Sequence, residues 1–170
     1  KHSSWDVRWF PAKTITGNII YNLSNTYTSF AGSIIGLYFS GNTGSNVVGT
    51  NFIHSLSVTG VSSTSATIYG IKISAGATTY SNNIISLAGT TTTTIYGIYE
   101  NGASGNNNNL YFNTVYIGGT PTSGALNSYA LFNNANSNTR NFRNNIFSNA
   151  RSNSGATGKH YAISLAGTTN

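Results

Sequence analysis

The chain has 170 residues, of which 8 are Lys or Arg, 2 are Asp or Glu and 3 are His, so its formal net charge is +6. It contains no Cys and no Met. These counts exclude a disulfide framework and any Cys-based metal or redox site. Asp6 and Glu100 are the only two acids in the sequence. This number makes catalysis by paired carboxylates, or a cation site built mainly of carboxylates, very unfavourable to expect. No stretch approaches the roughly 18 apolar residues of a membrane-spanning helix.

The remaining composition favours β structure. Hydrophobic residues make up 38% of the chain and aromatic residues 12%, whereas charged residues make up only 6%. Disordered chains combine low hydrophobicity with high net charge, and a chain of this length can bury the core of one domain. Val, Ile, Thr, Tyr and Phe are frequent and strong helix formers are scarce, so strands are expected.

Residues 1–13 precede any repeat and contain both Trp residues of the chain. Two interpretations of this N-terminal segment stay open. It caps the first coil of the repeat domain, because solenoid ends need a cover, or it docks on a neighbouring subunit. The residues that would carry end docking are Trp5, Trp9 and Phe10. Residues 14–170 are expected to form the repeat domain.

An Asn followed closely by Ile or Val recurs five times in that domain. The positions are Asn18, Asn51, Asn82, Asn113 and Asn144, at intervals of 33, 31, 31 and 31 residues. A fixed period of this size indicates a repeat architecture. We expect the amides to stack along the axis as an Asn ladder, each hydrogen-bonded to its equivalents in the neighbouring coils. A solvated surface role is the alternative.

Each repeat carries two further short apolar runs. Midway stands a tripeptide whose middle residue is Gly or Ala, at 35–37, 69–71, 96–98, 129–131 and 161–163. A weaker run precedes each Asn, as in Ile15-Thr16 and Leu110-Tyr111-Phe112. Short runs rich in β-branched and aromatic residues, separated by Gly, Asn, Ser and Thr, are typical of strands.

Three strands per repeat predict an all-β fold, a right-handed parallel β-helix (β-solenoid) of about five coils of 31–33 residues with three parallel sheets. Two aliphatic columns are predicted to face the core. The first is Ile20, Ile53, Ile84, Val115 and Ile146, and the second is Leu37, Ile71, Ile98, Leu131 and Ile163. Two-residue alternation then places Tyr69, Tyr96, Tyr129 and Tyr161 inside, and the Gly or Ala after each of them outside.

Three segments carry a resemblance to a known family: ITGNIIYNLSN (15–25), YGIYENGASGNNN (96–108) and NFRNNIFSN (141–149). They resemble the right-handed parallel β-helix family, the pectate-lyase-like solenoid, over residues 14–167. Within it they look like the Asn/Thr/Gly-rich repeats of surface and secreted proteins of Bacteroidota-type bacteria, often exported by type IX secretion. The sorting domain that usually ends such proteins is missing, so the chain is expected to be a fragment or a processed piece.

The family's enzymes act on polysaccharides with clusters of Asp, joined in the lyases by a Lys or Arg base. That pattern cannot be transferred, since Asp6 lies in the N-terminal segment and Glu100 is a lone acid after a predicted strand. The resemblance therefore implies the fold without lyase or hydrolase activity. No cofactor is expected, and His2, His54 and His160 lie in different segments with no shared metal site.

Aromatic residues on outward columns form two candidate contact surfaces. Tyr38, Tyr99 and Phe132 occupy equivalent positions just after the Gly/Ala column. Tyr21, Tyr116 and Phe147, together with His54, follow the Asn motif. Exposed aromatic stripes would fit a glycan or a neighbouring filament. The alternative is that loops cover these residues or that the strands turn them inward.

Charge is concentrated near the two ends of the chain. Between residues 14 and 139 the only charged side chains in the sequence are those of Lys72 and Glu100. Ordinary solubility explains this pattern, with binding to an anionic surface as the alternative. A nucleic-acid partner is not expected, because no dense basic stripe alternates with aromatics. Ice binding is not favoured either, because the Thr residues lie mostly in variable loops without strict register.

The expected function is therefore that of a non-catalytic, extracellular or cell-surface structural module: a filament, stalk or adhesin segment. Its partners would be copies of itself, stacked head to tail, or neighbouring domains of a longer chain. The alternative is a glycan-binding module of a larger polysaccharide-active secreted protein.

Overall fold

The computed structural model describes residues 12–41, 45–60, 65–102, 107–135 and 138–166. Within these ranges the chain forms strands and no helix. The strands are β1 (Thr14–Thr16), β2 (Ile19–Tyr21), β3 (Ser24–Asn25), β4 (Ser33–Phe39), β5 (Asn46–Gly49), β6 (Phe52–His54), β7 (Ser57–Val58), β8 (Thr67–Ile73), β9 (Thr78–Ser81), β10 (Ile84–Ala88), β11 (Thr94–Glu100), β12 (Asn109–Tyr111), β13 (Thr114–Gly118), β14 (Ser128–Asn133), β15 (Asn141–Arg143), β16 (Ile146–Asn149) and β17 (His160–Leu165).

Three five-stranded sheets run along the axis of a coil. Sheet 1 has the order β1-β5-β9-β12-β15, sheet 2 the order β2-β6-β10-β13-β16 and sheet 3 the order β4-β8-β11-β14-β17. Every neighbouring pair is parallel and joins equivalent strands of successive coils. The chain is thus an all-β parallel solenoid of about four turns, which confirms the predicted architecture at nearly the predicted coil count.

A small fourth sheet was not predicted. Strands β3 and β7 pair in parallel, with Ser24 opposite Ser57 and Asn25 opposite Val58. They follow sheet 2 in the first two coils, where the chain turns toward sheet 3. Val58 is buried, so this short sheet extends the core at that corner.

The core consists of side-chain columns that the parallel register stacks directly above one another. Sheet 1 contributes Ile15, Val48, Tyr80, Leu110 and Phe142; sheet 2 contributes Ile20, Ile53, Ile85, Val115 and Phe147; sheet 3 contributes Leu37, Ile71, Ile98, Leu131 and Ile163. In the middle coils these residues are fully buried. A single coil could not bury them, so coil-on-coil stacking forms the core.

The predicted sheet 2 column was wrong by one residue in two coils. Ile85 lies between Ile53 and Val115, whereas Ile84 pairs with Phe52 and Thr114 and faces outward. Phe147 likewise takes the inner position predicted for Ile146, whose side chain is exposed. Because side chains alternate along a strand, a one-residue error moves an inner residue to the outer face.

Candidate contact surfaces

An Asn ladder runs along the corner between sheets 1 and 2. Each side-chain amide donates to the Oδ1 atom of the next Asn at 2.9–3.0 Å. The backbone N–H of each Asn donates to the same Oδ1 atom at 2.9–3.1 Å. From the second coil onward, the amide also donates to a backbone carbonyl of the preceding coil, for example from Asn83 to Val48 at 3.0 Å. The inner members therefore use their full hydrogen-bonding capacity while buried.

The ladder consists of Asn18, Asn51, Asn83, Asn113 and Asn145. The predicted positions Asn82 and Asn144 were wrong, because in both coils the second Asn of an Asn-Asn pair is the ladder residue. The first Asn of each pair has a φ of 54° and is exposed. The residue before every ladder Asn is left-handed: Gly17, Thr50, Asn82, Phe112 and Asn144 have φ values between 52° and 71°. This left-handed residue turns the chain from sheet 1 into sheet 2.

The Gly/Ala column of sheet 3 faces the core, and the Tyr column faces outward, so the predicted orientation was reversed. A Cβ atom on Gly36, Gly70 or Gly97 would lie 2.2–2.6 Å from the inner side chains of sheet 2. Gly70 and the following Ile71 are both buried. Two consecutive inward residues interrupt the alternation of side chains along the strand. Tyr69, before this pair, and Lys72, after it, therefore both lie on the outer side.

The outward residues form what we call the tyrosine face of sheet 3: Tyr38, Tyr69, Lys72, Tyr96, Tyr99, Tyr129, Phe132 and Tyr161. The rings of Tyr69, Tyr96, Tyr129 and Tyr161 stack with centroids 5.1–5.2 Å apart and interplanar angles of 7–13°. Tyr99 and Phe132 stack at 5.5 Å in a second column and meet the first edge-on. Most ring faces are therefore covered by other rings.

The predicted contact residues Tyr38, Tyr99 and Phe132 lie in register on this face, with Lys72 between Tyr38 and Tyr99. Tyr38 is exposed, whereas Tyr99 and Phe132 are half-buried. The Lys72 ammonium lies 4.8 Å from the ring centroid of Tyr69 and 5.8 Å from that of Tyr38, within cation–π range. This lysine fills the place that an aromatic ring takes in the next two coils.

Packing within the tyrosine face changes the acidity of its phenols. Burial, with a smaller contribution from the neighbouring tyrosines, raises the pKa of Tyr96 to about 12. Burial likewise raises the pKa of Tyr69, and Tyr99 adds to this effect. Tyr69 and Tyr96 therefore hold their phenolic protons more tightly than an exposed tyrosine does.

The second predicted stripe lies on the outer face of sheet 2, except for one member. Its register is Tyr21, His54, Ser86, Tyr116 and Ser148. Phe147 does not belong to it, because this ring packs against the core. A second outward column, Ile19, Phe52, Ile84, Thr114 and Ile146, lies beside it. Sequence reasoning missed this apolar column because it assigned Ile84 and Ile146 to the core.

Glu100 is buried at the corner between sheets 3 and 1. Its Oε1 atom accepts hydrogen bonds from the backbone of Gly102 and the side chain of Asn108, both at 2.9 Å. Its Oε2 atom accepts from Asn133, whose own oxygen accepts from Arg140 at 3.0 Å. The only acid among the described residues is thus held inside by amides.

Two buried hydroxyl groups, those of Thr78 and Tyr80, have no hydrogen-bond partner among the described residues. Burial raises the pKa of Tyr80 well above its usual value; the nearby Thr78 hydroxyl opposes this rise, and the Glu100 carboxylate adds to it. This polar corner was not foreseen, because Glu100 appeared in the sequence as a lone acid beyond a strand.

Arg151 is a second buried charge that the sequence did not reveal. Its guanidinium donates to the carbonyls of Thr93 and Thr91, at 3.0 and 2.8 Å, two coils earlier in the chain. Burial lowers the pKa of Arg151 to about 10. The side chain therefore links its own loop to the loop that holds Thr91 and Thr93, two coils earlier.

Several predicted residues fall outside the described part of the chain or remain separate within it. Trp5, Trp9 and Phe10 lie in the N-terminal segment outside the described residues, as does Asp6. His54 is on sheet 2 and His160 on sheet 3. The described residues contain no group of three or more His, Cys, Asp or Glu that could hold a metal ion.

No family model, no curated protein and no solved structure matches this chain. Over the described ranges, no helix is long and apolar enough to cross a membrane.

Proposed function

We propose that this chain is a non-catalytic structural module of an extracellular or cell-surface protein, extended by stacking further coils on its ends. The observation that carries the proposal is the direction of the Asn ladder. Each ladder Asn before the last donates its backbone N–H and its amide to the next coil, and each ladder Asn after the first accepts through Oδ1 from the coil before. A directional ladder of this kind has one donor end and one acceptor end.

The two ends of the ladder are complementary. In the last described coil, Asn145 has no further Asn among the described residues to accept its backbone N–H. In the first coil, the Oδ1 atom of Asn18 accepts from no other Asn in the described part of the chain. A second solenoid placed head to tail would bring Asn18 Oδ1 over Asn145 and continue the ladder.

The apolar core supports the same contact. In the sheet 3 column, Leu131 is 0% exposed, whereas Ile163, its equivalent in the last described coil, is 50% exposed. Leu165 is 46% exposed although its equivalent, Asn133, is buried. A further coil above β17 would cover both side chains and pair with the edge of β17 that has no partner strand among the described residues, which is a common basis for β-strand addition.

The non-catalytic part of the proposal rests on Glu100, whose two carboxylate oxygens accept hydrogen bonds from amides inside the solenoid. The extracellular location, the right-handed winding and the pectate-lyase-like, Bacteroidota-type assignment rest on the sequence motifs. Low charge and the lack of Cys suit a chain that is exported unfolded and folds without disulfide formation.

Assembly of the purified chain tests end stacking. Analytical ultracentrifugation and negative-stain microscopy should detect rods that lengthen in steps of roughly 24 Å, the height of five strand spacings. Higher salt should favour assembly, because it screens repulsion between chains of net charge +6. Ile163→Asp should abolish the rods by placing a charge on the end face.

The matched control is Ile146→Asp, which adds the same charge in the same coil but on the outer face of sheet 2. This variant should still assemble end to end. Monomers at all concentrations and salt levels would contradict end stacking, and so would rods that form equally well with Ile163→Asp.

A glycan-binding module is the second candidate function, favoured by one residue of the tyrosine face, Tyr38. Tyr38 exposes much of its ring there. The ring stacks described above cover most other ring faces, and sugars bind aromatic residues through those faces. Replacing Tyr38, Tyr99 and Phe132 together with Ala should abolish binding on a glycan array if this face binds sugars; unchanged binding would eliminate it.

A further inference from the structure

A cleft of about 580 Å³ lies over the outer face of sheet 2, on the opposite side of that sheet from the core. It is lined by Asn22, Ser24, Phe52, His54, Ser55, Leu56, Ser57, Ser86, Leu87, Ala88 and Tyr116. We call it the serine cleft. It belongs to neither the solenoid ends nor the tyrosine face.

The serine cleft exists because a column of rings is interrupted. Tyr21 and His54 stack in successive coils with centroids 5.3 Å apart, and Phe52 supports His54 at 4.4 Å. The same column holds Tyr116 two coils beyond His54, but Ser86 stands between them. A serine at this position leaves empty the space that an aromatic ring would occupy.

The gap has room for one ring. Two coil spacings separate the backbones of His54 and Tyr116 by about 9.6 Å, so a group midway would lie about 4.8 Å from each neighbour. Ring centroids in successive coils of the tyrosine face lie at nearly this spacing, 5.1–5.2 Å apart. The gap therefore accepts a single ring, and the chemistry of its lining decides which kind of ring binds there.

The polar lining indicates a neutral, hydroxyl-rich ligand. Four serines and one asparagine contribute groups that can both donate and accept hydrogen bonds, as sugar hydroxyls do. Ser55 also lies 2.9 Å from the Nδ1 atom of His54 and holds that ring in place. None of the lining residues is Lys, Arg, Asp or Glu, so an acidic sugar would lose hydration without gaining a charged partner.

We infer that the serine cleft binds one pyranose ring of a neutral polysaccharide in the gap above Ser86. The apolar C–H groups of the sugar would contact the rings of His54 and Tyr116. Its hydroxyl groups would meet the serines around the rim. Binding sites commonly combine apolar walls with a few polar groups that fix the orientation of the ligand.

Isothermal titration calorimetry with defined oligosaccharides tests the inference. The neutral probes are hexasaccharides of β-1,4-glucose, β-1,4-xylose, β-1,4-mannose and N-acetylglucosamine, and the acidic probe is hexagalacturonate. We expect at least one neutral hexasaccharide to bind and the acidic one not to bind. Preferential binding of hexagalacturonate, or binding of none of the five, would overturn the inference.

Two serine variants locate the site. Ser86→Tyr fills the gap with a ring and should weaken binding about tenfold or more. Ser148→Tyr adds the same side chain to the same column in the last described coil, away from the cleft, and should leave affinity unchanged. Circular dichroism melting curves verify that both variants are folded.

Replacing Leu87 would disturb the core, because this side chain is buried there. The third variant is therefore His54→Ala, which removes an aromatic ring from the lining of the cleft and leaves the core intact. It should also weaken binding about tenfold. If Ser86→Tyr and His54→Ala both fold and bind as the unmodified chain does, the sugar binds elsewhere and the inference is wrong. This result would leave the end-stacking proposal unaffected, because the two rest on different residues.

Discussion

The side-chain amide of Asn83 donates to the Oδ1 atom of Asn113 at 2.9 Å, one turn further along the solenoid. Asn83 Oδ1 in turn accepts from both the backbone and the amide of Asn51. One buried side chain thus links three successive coils. This relationship makes the ladder a strong test of the register of the whole fold.

Asn83→Ala should destabilise the protein by roughly 4 kcal/mol, because it leaves buried groups of Asn51, Val48 and Asn113 unpaired and each such group costs about 1–3 kcal/mol. The control is Asn82→Gly. Asn82 is exposed with a φ of 54°, which Gly adopts freely, so its effect should stay within about 0.5 kcal/mol. Urea denaturation measures both values. Equal losses would contradict the register.

Much of the fold was predictable from the sequence, because side chains of the same type recur at a nearly constant interval. The repeat predicted a parallel solenoid with three sheets, and the register found for Leu37, Ile71 and Ile98 matches the predicted second column. A period identifies which segments stack. It does not fix the register to one residue where two adjacent positions are chemically alike.

The Asn-Asn pairs created that ambiguity. Asn favours the left-handed turn as well as the ladder, so Asn82 and Asn83 each fitted either role. The coil that contains Gly17-Asn18 resolves it, since Gly is the expected residue for a φ of 71°. Aligning every coil on a left-handed residue followed by Asn would have placed Ile85 and Phe147 in the core.

The facing of the Tyr column was not predictable by simple alternation. Gly70 and Ile71 are consecutive and both buried, which breaks the two-residue pattern at the glycine. The burial of Glu100 and Arg151 depends on loops and on residues 8 to 60 positions away in sequence. Contacts of this kind leave no periodic signal.

Gly97→Ala tests the reversed facing of sheet 3. The new Cβ atom would lie 2.2 Å from the side chain of Val115 and 2.6 Å from the carbonyl of Ala130. Both neighbours are fixed within the core, so we expect a loss of about 2–3 kcal/mol from overpacking. Gly89→Ala serves as the control, since its nearest contact would be 3.7 Å. Thermal and urea unfolding should separate the two variants; similar stabilities would favour an outward glycine.

Alkaline pH should reduce the stability that Tyr96 in the tyrosine face contributes to the folded protein. The pKa of Tyr96 is about 12 in the folded protein and its ordinary value is 10.0, so the folded state holds this proton more tightly. The stability it contributes is fully present below pH 10 and is lost as the pH rises through about 12. Tyr96→Phe lacks this titration, and its free energy of unfolding should fall less steeply between pH 9 and 12.

The unmodified chain and Tyr96→Phe must be compared through the difference between their free energies of unfolding at each pH. Arg151, whose pKa is lowered to about 10, contributes a change of opposite sign over the same pH range. Taking the difference between Tyr96→Phe and the unmodified chain removes that contribution. Urea unfolding at each pH, with tyrosinate absorbance recorded in parallel, gives both the stability and the ionisation. Identical pH slopes would contradict the assignment to Tyr96.

Replacing Phe112 should stabilise the protein. Phe112 has a φ of 55°, and a left-handed conformation costs a residue with a Cβ atom about 1–2 kcal/mol. Its ring is 56% exposed, so little burial is lost on removing it. The equivalent positions in the adjacent coils hold Asn82 and Asn144 with nearly the same φ. Phe112→Asn and Phe112→Gly should therefore each raise the free energy of unfolding by about 1 kcal/mol.

Phe112→Ala is the matched control for this position. It removes the ring as the other two variants do, but it retains the Cβ atom that the left-handed conformation disfavours. Its stability should remain equal to that of the unmodified chain or fall slightly. If all three variants shift the urea midpoint equally, the effect comes from the lost ring and not from backbone strain. A gain confined to Asn and Gly would locate the strain at this turn, where the chain passes from sheet 1 to sheet 2.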